Sequence, residues 1–463
     1  MTKIVDIEDI RKKREKKEIG IPIENINKKE LKRRGHEIGD ILGCDEKGEE
    51  ICVRKGKGNL YVDGNMEKEQ LFDFMRSQIY QNIQRGDSMV IVDLGSRIYK
   101  RELWIYLTIH GYRVDSYNMD CMTESDCFNC LDGLGAENEE QIVMIANDII
   151  DDQKYKFMTY PVETACKALL SAVLLASLTE MEESDRNMLE IATIFRLGVS
   201  GTMLDKILHV MFEELDETSS AKQLFAMYSE AEEGIRMEAI QKIGNALAVY
   251  EKRANGSLCD NFRTNRYDME MPVKEKSVLF IESGQLPEDK VLFSVFMERL
   301  YDSMLKKAEE RQQDVTVMLL DYPYYGGLCG LEKYMEEGPE KGICTTLYED
   351  DRKLDGSGYA PHLVELYSLC DISVCIKDTE IPLCEIEKCE NPVTGECSKR
   401  KDGLCYYPAA KNRYKEFIIG YDRDKEEAMF VTGYLYDPGD HPCKIPDNTE
   451  NLLTMWSDQK RWL

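Results

Sequence analysis

The chain has 463 residues, with 60 Lys+Arg against 87 Asp+Glu and a formal net charge of −27. A field of that sign repels phosphate, which excludes a protein whose whole surface embraces nucleic acid, although a local basic patch stays compatible with it. With 43% apolar and 32% charged residues, the chain carries enough apolar material for a sizeable core, and its length suits about two to four domains.

Residues 1–35 hold an excess of Lys/Arg over Asp/Glu. This basic leader reads either as a solvated helix around Ile10 to Glu18 or as an anchor for a partner or nucleic acid. It has no apolar h-region, so no signal peptide is expected. The longest uncharged apolar stretch, Ala168 to Thr179, is about half of the roughly 20 residues a spanning helix needs. The expectation is therefore a cytoplasmic chain without its own membrane span, whose 16 cysteines are reduced thiols.

From Asp40 the pattern becomes regular. Ile41-Leu42-Gly43 and Glu50-Ile51-Cys52-Val53 flank the polar turn Asp45-Glu46-Lys47-Gly48 and predict a β-hairpin. Asn59 to Gly64 predicts a short strand. Leu71, Phe74, Met75, Gln78 and Ile79 fall at helical spacing after it. Ser88 to Asp93 predicts a buried strand ending in an acid, Arg97 to His110 a helix capped by Gly111, and Tyr112 to Tyr117 another strand. Strands and helices alternating at this spacing predict a parallel α/β sheet.

From Asn138 to about Arg253 the periodicity is helical throughout, over Ala165 to Leu178, Arg186 to Leu197, Met203 to Leu215 and Glu230 to Tyr250. The α/β pattern then resumes with strand Ser277 to Ile281, helix Asp289 to Arg311 and the apolar strand Val315 to Asp321. Further strands are expected at Gly342 to Leu347, Asp371 to Lys377, Phe417 to Gly420 and Ala428 to Tyr434, with a helix at His362 to Leu369. The expected organisation is a basic leader (1–35), an α/β domain built from 36–137 and 255–463, an inserted all-α domain (138–254) and a Cys-rich insertion (384–407).

A strand that ends at Gly64 and leads at once into a helix is where a phosphate-binding loop, G-x-x-x-x-G-K-[ST], would sit. Here the segment reads Gly64-Asn65-Met66-Glu67-Lys68-Glu69-Gln70-Leu71. The second Gly, the Lys and the Ser/Thr are replaced by Glu69, Gln70 and Leu71. Lys68 lies two positions too early to stand in for the missing Lys. Glu67 and Glu69 fall where phosphate would rest, and a like-charge contact at ~4 Å costs about 4 kcal/mol at an effective dielectric of 20. These residues argue against ATP and Mg²⁺ binding. Asp321, ending the run Leu319-Leu320-Asp321-Tyr322, either matches the Mg²⁺-holding acid of a nucleotide site or caps the turn into Pro323. Tyr322 stands where active ATPases usually carry a Glu.

Together these pieces resemble the coupling proteins of type IV secretion and conjugation, the TraG-type DNA-transfer ATPases. The resemblance covers roughly residues 36–450. It rests on Ile41-Leu42-Gly43, Val90-Ile91-Val92-Asp93 (although Leu94-Gly95-Ser96-Arg97 follows where the family carries Asp-Pro-Lys-Gly-Glu), Gly111-Tyr112-Arg113-Val114, Asn118-Met119-Asp120, Ser125 to Leu131 with Cys130 in place of a family Pro, Cys370-Asp371-Ile372, and Val431-Thr432-Gly433 before Pro438. It implies a RecA-like, P-loop NTPase-type, mostly parallel sheet with helices on both faces, interrupted by an all-α domain that recognises relaxase–DNA cargo. Of the nucleotide site, the resemblance carries over Gly64 and Asp321, and Asp93 more loosely. Asn65, Lys68 and Gln70 occupy the degenerate positions between them, and no catalytic residue is assigned. The expected function is a non-hydrolysing adaptor or cargo-recognition subunit, with an active ATP-driven DNA-translocating coupling protein as the alternative. Expected partners are a relaxase or secreted cargo, secretion components, an active coupling ATPase and single-stranded DNA, with recruitment to the inner face of the cell membrane.

Cys384, Cys389, Cys397 and Cys405 place four thiolates in a polar segment beside Lys399-Arg400-Lys401. They read either as a zinc site or as a loop of reduced thiols. Cys127-Phe128-Asn129-Cys130 reads as structural, because a redox C-x-x-C needs its first Cys at a helix N-terminus. The five His form no H-x-x-x-H or triad-like setting. Tyr322, Tyr324 and Tyr325 either stack bases or fill the space a nucleotide would occupy.

Overall fold

The computed structural model describes residues 40–44, 50–53, 58–64, 75, 78–79, 81–83, 85–94, 98–119, 121–122, 125–150, 161–196, 200–254, 262–264, 266–283, 289–320, 328, 330–350, 366, 369–370, 372–377, 416–420 and 432–433. Strands β1 (Asp40–Cys44) and β2 (Glu50–Val53) form the expected antiparallel hairpin, with a bulge between Ile41 and Gly43. The other described strands build one sheet. They are β3 (Leu60–Gly64), β4 (Ser88–Leu94), β5 (Arg113–Asn118), β6 (Ser277–Ser283), β7 (Val315–Leu320), β8 (Ile343–Asp350), β9 (Ile372–Lys377), β10 (Glu416–Gly420) and β11 (Thr432–Gly433). Their spatial order is β11-β10-β9-β3-β8-β7-β4-β6-β5. Every neighbouring pair from β9 to β5 is parallel, and β10 and β11 add an antiparallel edge.

Both faces of the sheet are covered, so β4, β6 and β7 send apolar side chains both ways instead of alternating with exposed polar ones. Side chains alternate between two cores. Met89 and Ile91 of β4, Val278 and Phe280 of β6, and Met318 and Leu320 of β7 pack with Met75, Ile79 and Ile83, and with Leu103 and Leu107 of helix α1 (Ile98–Ile109). Val90 and Val92, Leu279 and Ile281, and Val315, Val317 and Leu319 face the opposite core. There they meet helix α9 (Lys290–Lys307), helix α10 (Leu331–Glu337) and the helical insertion. Helix α1 ends where the sequence places its cap. Gly111 has φ +78, its N–H reaches Thr108 O at 3.0 Å, and the Tyr112 N–H reaches Leu107 O at 3.0 Å. This αL closure satisfies the last carbonyls, and a side chain at 111 would be strained.

The chain steps from β3 to β4 to β5 in one direction across the sheet, then returns through β6, β7, β8 and β9. Right-handed crossovers in opposite directions put helices on opposite faces, which is the division of the two cores. β3 and β4 therefore send their chain to one face, while their neighbours β8, β7 and β6 send theirs to the other. Crevices open at such switch points, at the carboxyl ends of the strands.

Between β5 and β6 lie helices α2 (Glu139–Ile150), α3 (Pro161–Glu180), α4 (Met188–Phe195), α5 (Gly201–Glu213), α6 (Ser220–Ser229), α7 (Glu233–Ala254) and the single turn α8 (Met271–Lys274). Helix α3 is apolar on nearly every side and packs against α2, α6 and α7. It is long and apolar enough to cross a membrane, the only such helix among the described residues. Here it is the central helix of the insertion, which is the other setting for an all-round apolar helix. The buried cluster continues without a break from the sheet into the insertion, through contacts of α2 and α7 with α9.

Candidate functional site

The candidate site is the carboxyl edge of the sheet. Its geometry starts with β3, which a buried Asn holds in place. Asn59 Nδ2 donates to Met335 O at 2.6 Å and Leu369 O at 3.1 Å, and Asn59 Oδ1 accepts from Thr345 N at 2.9 Å. β3 sits beside β8, and β8 sits beside β7. The strand leading to Gly64 and the strand leading to Asp321 are thus separated by one strand. In register, Asp63 lies between Glu349 and Cys375, and Gly64 lies between Asp350 and Ile376. The predicted phosphate turn therefore starts from an edge whose neighbouring strand ends in two acids.

The adjacent edge is acidic too. Asp93 of β4, Glu282 of β6 and Asn118 of β5 are register partners in one row, all buried. Lys100 of α1 donates to Glu282 Oε2 and to Ser116 Oγ, each at 2.8 Å, and Ser116 Oγ donates to Glu282 Oε2 at 3.0 Å. Lys100 thereby holds α1 to β5 and β6. One residue on, Ser283 Oγ donates to Asp289 Oδ2 at 2.6 Å, while Arg253 from the end of α7 clasps both Asp289 oxygens at 2.7 and 2.8 Å. Asp289 is fully buried and precedes α9, and its carbonyl accepts the Phe293 N–H at 2.9 Å. The helical insertion is latched to the sheet edge by this fork. A bidentate Arg–carboxylate pair is the strongest form of that contact.

A further buried carboxyl lies on α9 itself. Glu298 in α9 accepts from the Tyr334 hydroxyl of α10, which follows the segment after β7. Burial pushes the Glu298 carboxyl up to about 8, Asp148 of α2 and Asp302 add negative potential, and the Tyr334 hydroxyl and Gly330 N–H oppose the shift. The folded state thus holds a proton that the unfolded chain releases near the ordinary Glu value. The contribution of Glu298 is therefore most favourable below that value and is lost as pH rises towards about 8. Glu298→Gln is expected to leave the thermal midpoint near wild type at pH 4.5. At pH 8.5 it should raise the midpoint by several degrees, measured by scanning calorimetry across the two pH values.

Of the residues singled out from the sequence, Gly64 is the last residue of β3, and Asp93 is the buried penultimate residue of β4. Asn65, Lys68, Gln70, Asp321 and the four cysteines Cys384, Cys389, Cys397 and Cys405 lie outside the described residues. Among the described residues no group of His, Cys, Asp and Glu is arranged to hold a metal ion. Cys127 and Cys130 are buried, and burial pushes the Cys130 thiol up to about 12. That is opposite to a reactive C-x-x-C and agrees with a structural role. Glu282, Asp289, Arg253 and Glu298 were not singled out from the sequence. The one available signal was Glu298, which interrupts the buried apolar positions Met297, Leu300, Tyr301 and Leu305 of α9.

No protein-family model and no curated protein matches the sequence. Solved structures do match it. The bacterial conjugative coupling protein TrwBdeltaN70, in a trigonal form in complex with sulphate, aligns with TM-score 0.51 and 14% identity over 91% of this chain and 87% of that one. TrwB in complex with ADP and Mg²⁺ aligns with TM-score 0.50 and 13% identity over the same shares. TrwB with the non-hydrolysable analogue ADPNP aligns with TM-score 0.50 and 14% identity over 77% and 80%. The fold is RecA-like, a mostly parallel sheet with helices on both faces.

Proposed function

We propose that the chain is a coupling-protein-like component of a conjugative DNA-transfer or type IV secretion apparatus, acting as a non-hydrolysing adaptor that recognises cargo. The fold it shares with TrwB, itself a conjugative coupling protein, supports the system. The turn after Gly64 supports the loss of hydrolysis: Glu67 and Glu69 stand at the phosphate positions, and the turn leaves the sheet beside Asp350. A nucleoside triphosphate brought there meets carboxylates where an active site offers N–H groups and a Lys. The adaptor works on the cytoplasmic side, with a relaxase, a secreted protein or an active coupling ATPase as its partner. A second reading, an active ATP-driven DNA translocase, draws support from Asp321 following β7 at one strand's remove from β3.

Phosphate release with single-stranded DNA at low salt separates the two. The adaptor is expected to show none above a no-protein control and to retain a relaxase or coupling ATPase in a pull-down. DNA-stimulated release that disappears in Asp321→Ala would establish the translocase instead.

A further inference from the structure

Helix α5 has two apolar faces. Leu204, Leu208 and Phe212 form the buried one, which is pinned to the rest of the insertion. Asp205 accepts from Tyr228 of α6 at 2.7 Å and from Arg236 of α7 at 3.2 Å, and the Phe212 and Phe225 rings stack at 4.2 Å. The other face carries Met203, Ile207, Val210 and Met211, at the i, i+4, i+7, i+8 spacing of an amphipathic stripe. Met203 is 54% exposed, Val210 59% and Met211 55%; Met227 on the neighbouring α6 is 57% exposed. These are four of the five large hydrophobic side chains exposed among the described residues. Isolated exposed apolar residues are ordinary, but a stripe at helical spacing is a surface awaiting a partner. Three of the four are methionines, whose flexible thioethers suit a docking face that adapts to its occupant.

The charge around the stripe identifies the occupant. Between residues 201 and 233 there are eight Asp/Glu and two Lys. Glu213, Glu214, Asp216 and Glu217 are exposed where α5 ends, Glu230 and Glu232 are exposed between α6 and α7, and Glu233 is exposed at the first position of α7. Glu214 continues the stripe itself. The last turn of α5 has no basic residue, so acids crowd the negative end of the helix dipole, an arrangement unfavourable in the free protein and relieved by an incoming cation. Lys222 is already committed, at 2.8 Å to Glu217, 2.8 Å to Leu215 O and 3.0 Å to Glu213 O. Nucleic acid and an anionic lipid surface are repelled by such a rim. A two-fold contact with a second copy would bring the same acids face to face.

We infer that the outer face of α5, together with Met227 of α6, docks a basic amphipathic helix of a partner protein. Its apolar side covers the methionine stripe, and its Lys/Arg meet the acidic rim, a helix-on-apolar-face mode of recognition. This inference deepens the adaptor reading by naming the kind of partner its insertion holds; because neither nucleotide nor DNA enters the test, it can fail while that reading stands.

The test uses the full chain and a fluorescein-labelled 18-residue Leu/Lys amphipathic peptide, followed by anisotropy. A Leu/Glu peptide of the same pattern serves as the control. Saturable binding of the Leu/Lys peptide, weakened by added salt and absent for Leu/Glu, is expected. Met203→Gln with Val210→Gln, which keeps every charge and changes only exposed positions, should weaken it at least about tenfold. Met203→Leu with Val210→Leu should restore it, and all variants should keep the wild-type circular dichroism and thermal midpoint. Equal binding by the Gln variant, or equal binding of the Leu/Glu peptide, would overturn the proposal. So would a dimer in sedimentation that the Gln variant abolishes, since that assigns the stripe to a second copy.

Discussion

Rebuilding the turn after β3 with Glu69→Gly, Gln70→Lys and Leu71→Ser is expected to raise the chain's Mg²⁺-dependent affinity for ATP, which the adaptor reading sets near zero in the unmodified chain. The three changes restore G-x-x-x-x-G-K-S from Gly64 to position 71. One carboxylate leaves the phosphate position, an ammonium arrives, and a hydroxyl becomes available to Mg²⁺. Removing a single like-charge contact is worth about 4 kcal/mol at ~4 Å and an effective dielectric of 20, or roughly a thousandfold in affinity. The rebuilt turn retains Glu67 and still departs beside Asp350, so the gain should be larger again when Glu67→Gly is added. Titration with a fluorescent ATP analogue, with and without Mg²⁺, measures it. An unchanged rebuilt variant would mean that the obstacle lies elsewhere along the edge, in the row formed by Asp93, Glu282 and Asn118.

The second large effect is structural. Arg253→Ala leaves Asp289 fully buried without its bidentate partner. Stranding one charge of a buried pair typically costs about 3–5 kcal/mol, a large fraction of the stability of most domains. The expected result is a shift of that size in a urea unfolding curve. Arg253→Ala combined with Asp289→Asn should recover part of the loss, because the stranded charge is then gone while Ser283 Oγ keeps an acceptor. The pair joins the end of α7 to the start of α9. Limited proteolysis of the single variant should therefore cut first where the helical insertion returns to the sheet, between α7 and β6. A double variant no more stable than Arg253→Ala would show that the loss arises from packing of the Arg stem and not from the buried carboxylate.

The parts legible in the sequence are those whose signal is local. β4 and β7 announce themselves as apolar runs because a sheet covered on both faces needs no polar alternation. Gly111 marks the end of α1 because only a residue at ease with positive φ closes a helix that way. The long helices of the insertion carry their spacing openly. Other features depend on partners distant in sequence. β6 runs on to Ser283 and β8 to Asp350, beyond the apolar stretches that signal them, because the parallel ladders with β4 and β3 carry polar residues to the edge. Helix α6 has too thin a pattern to recognise, since only Ala221, Phe225 and Tyr228 are buried. Helix α10, seven residues long, is too short for one. Arg253 and Asp289 meet across 36 positions, and Glu298 acquires its raised pKa first from burial and then from Asp148, which lies on another helix. No periodicity records either encounter. The acidity of the candidate turn is different, being written directly in Gly64 to Leu71; the sheet adds that Asp350 stands beside it.

The most direct measurement is equilibrium titration of the unmodified chain with a fluorescent ATP analogue in the presence of Mg²⁺. A turn that repels anions within an otherwise RecA-like sheet predicts no saturable, Mg²⁺-dependent binding up to about 1 mM nucleotide, the concentration at which only about 4 kcal/mol of binding energy would be needed. Saturation in the micromolar range, competed by unlabelled ATP and lost on chelating Mg²⁺, would contradict it.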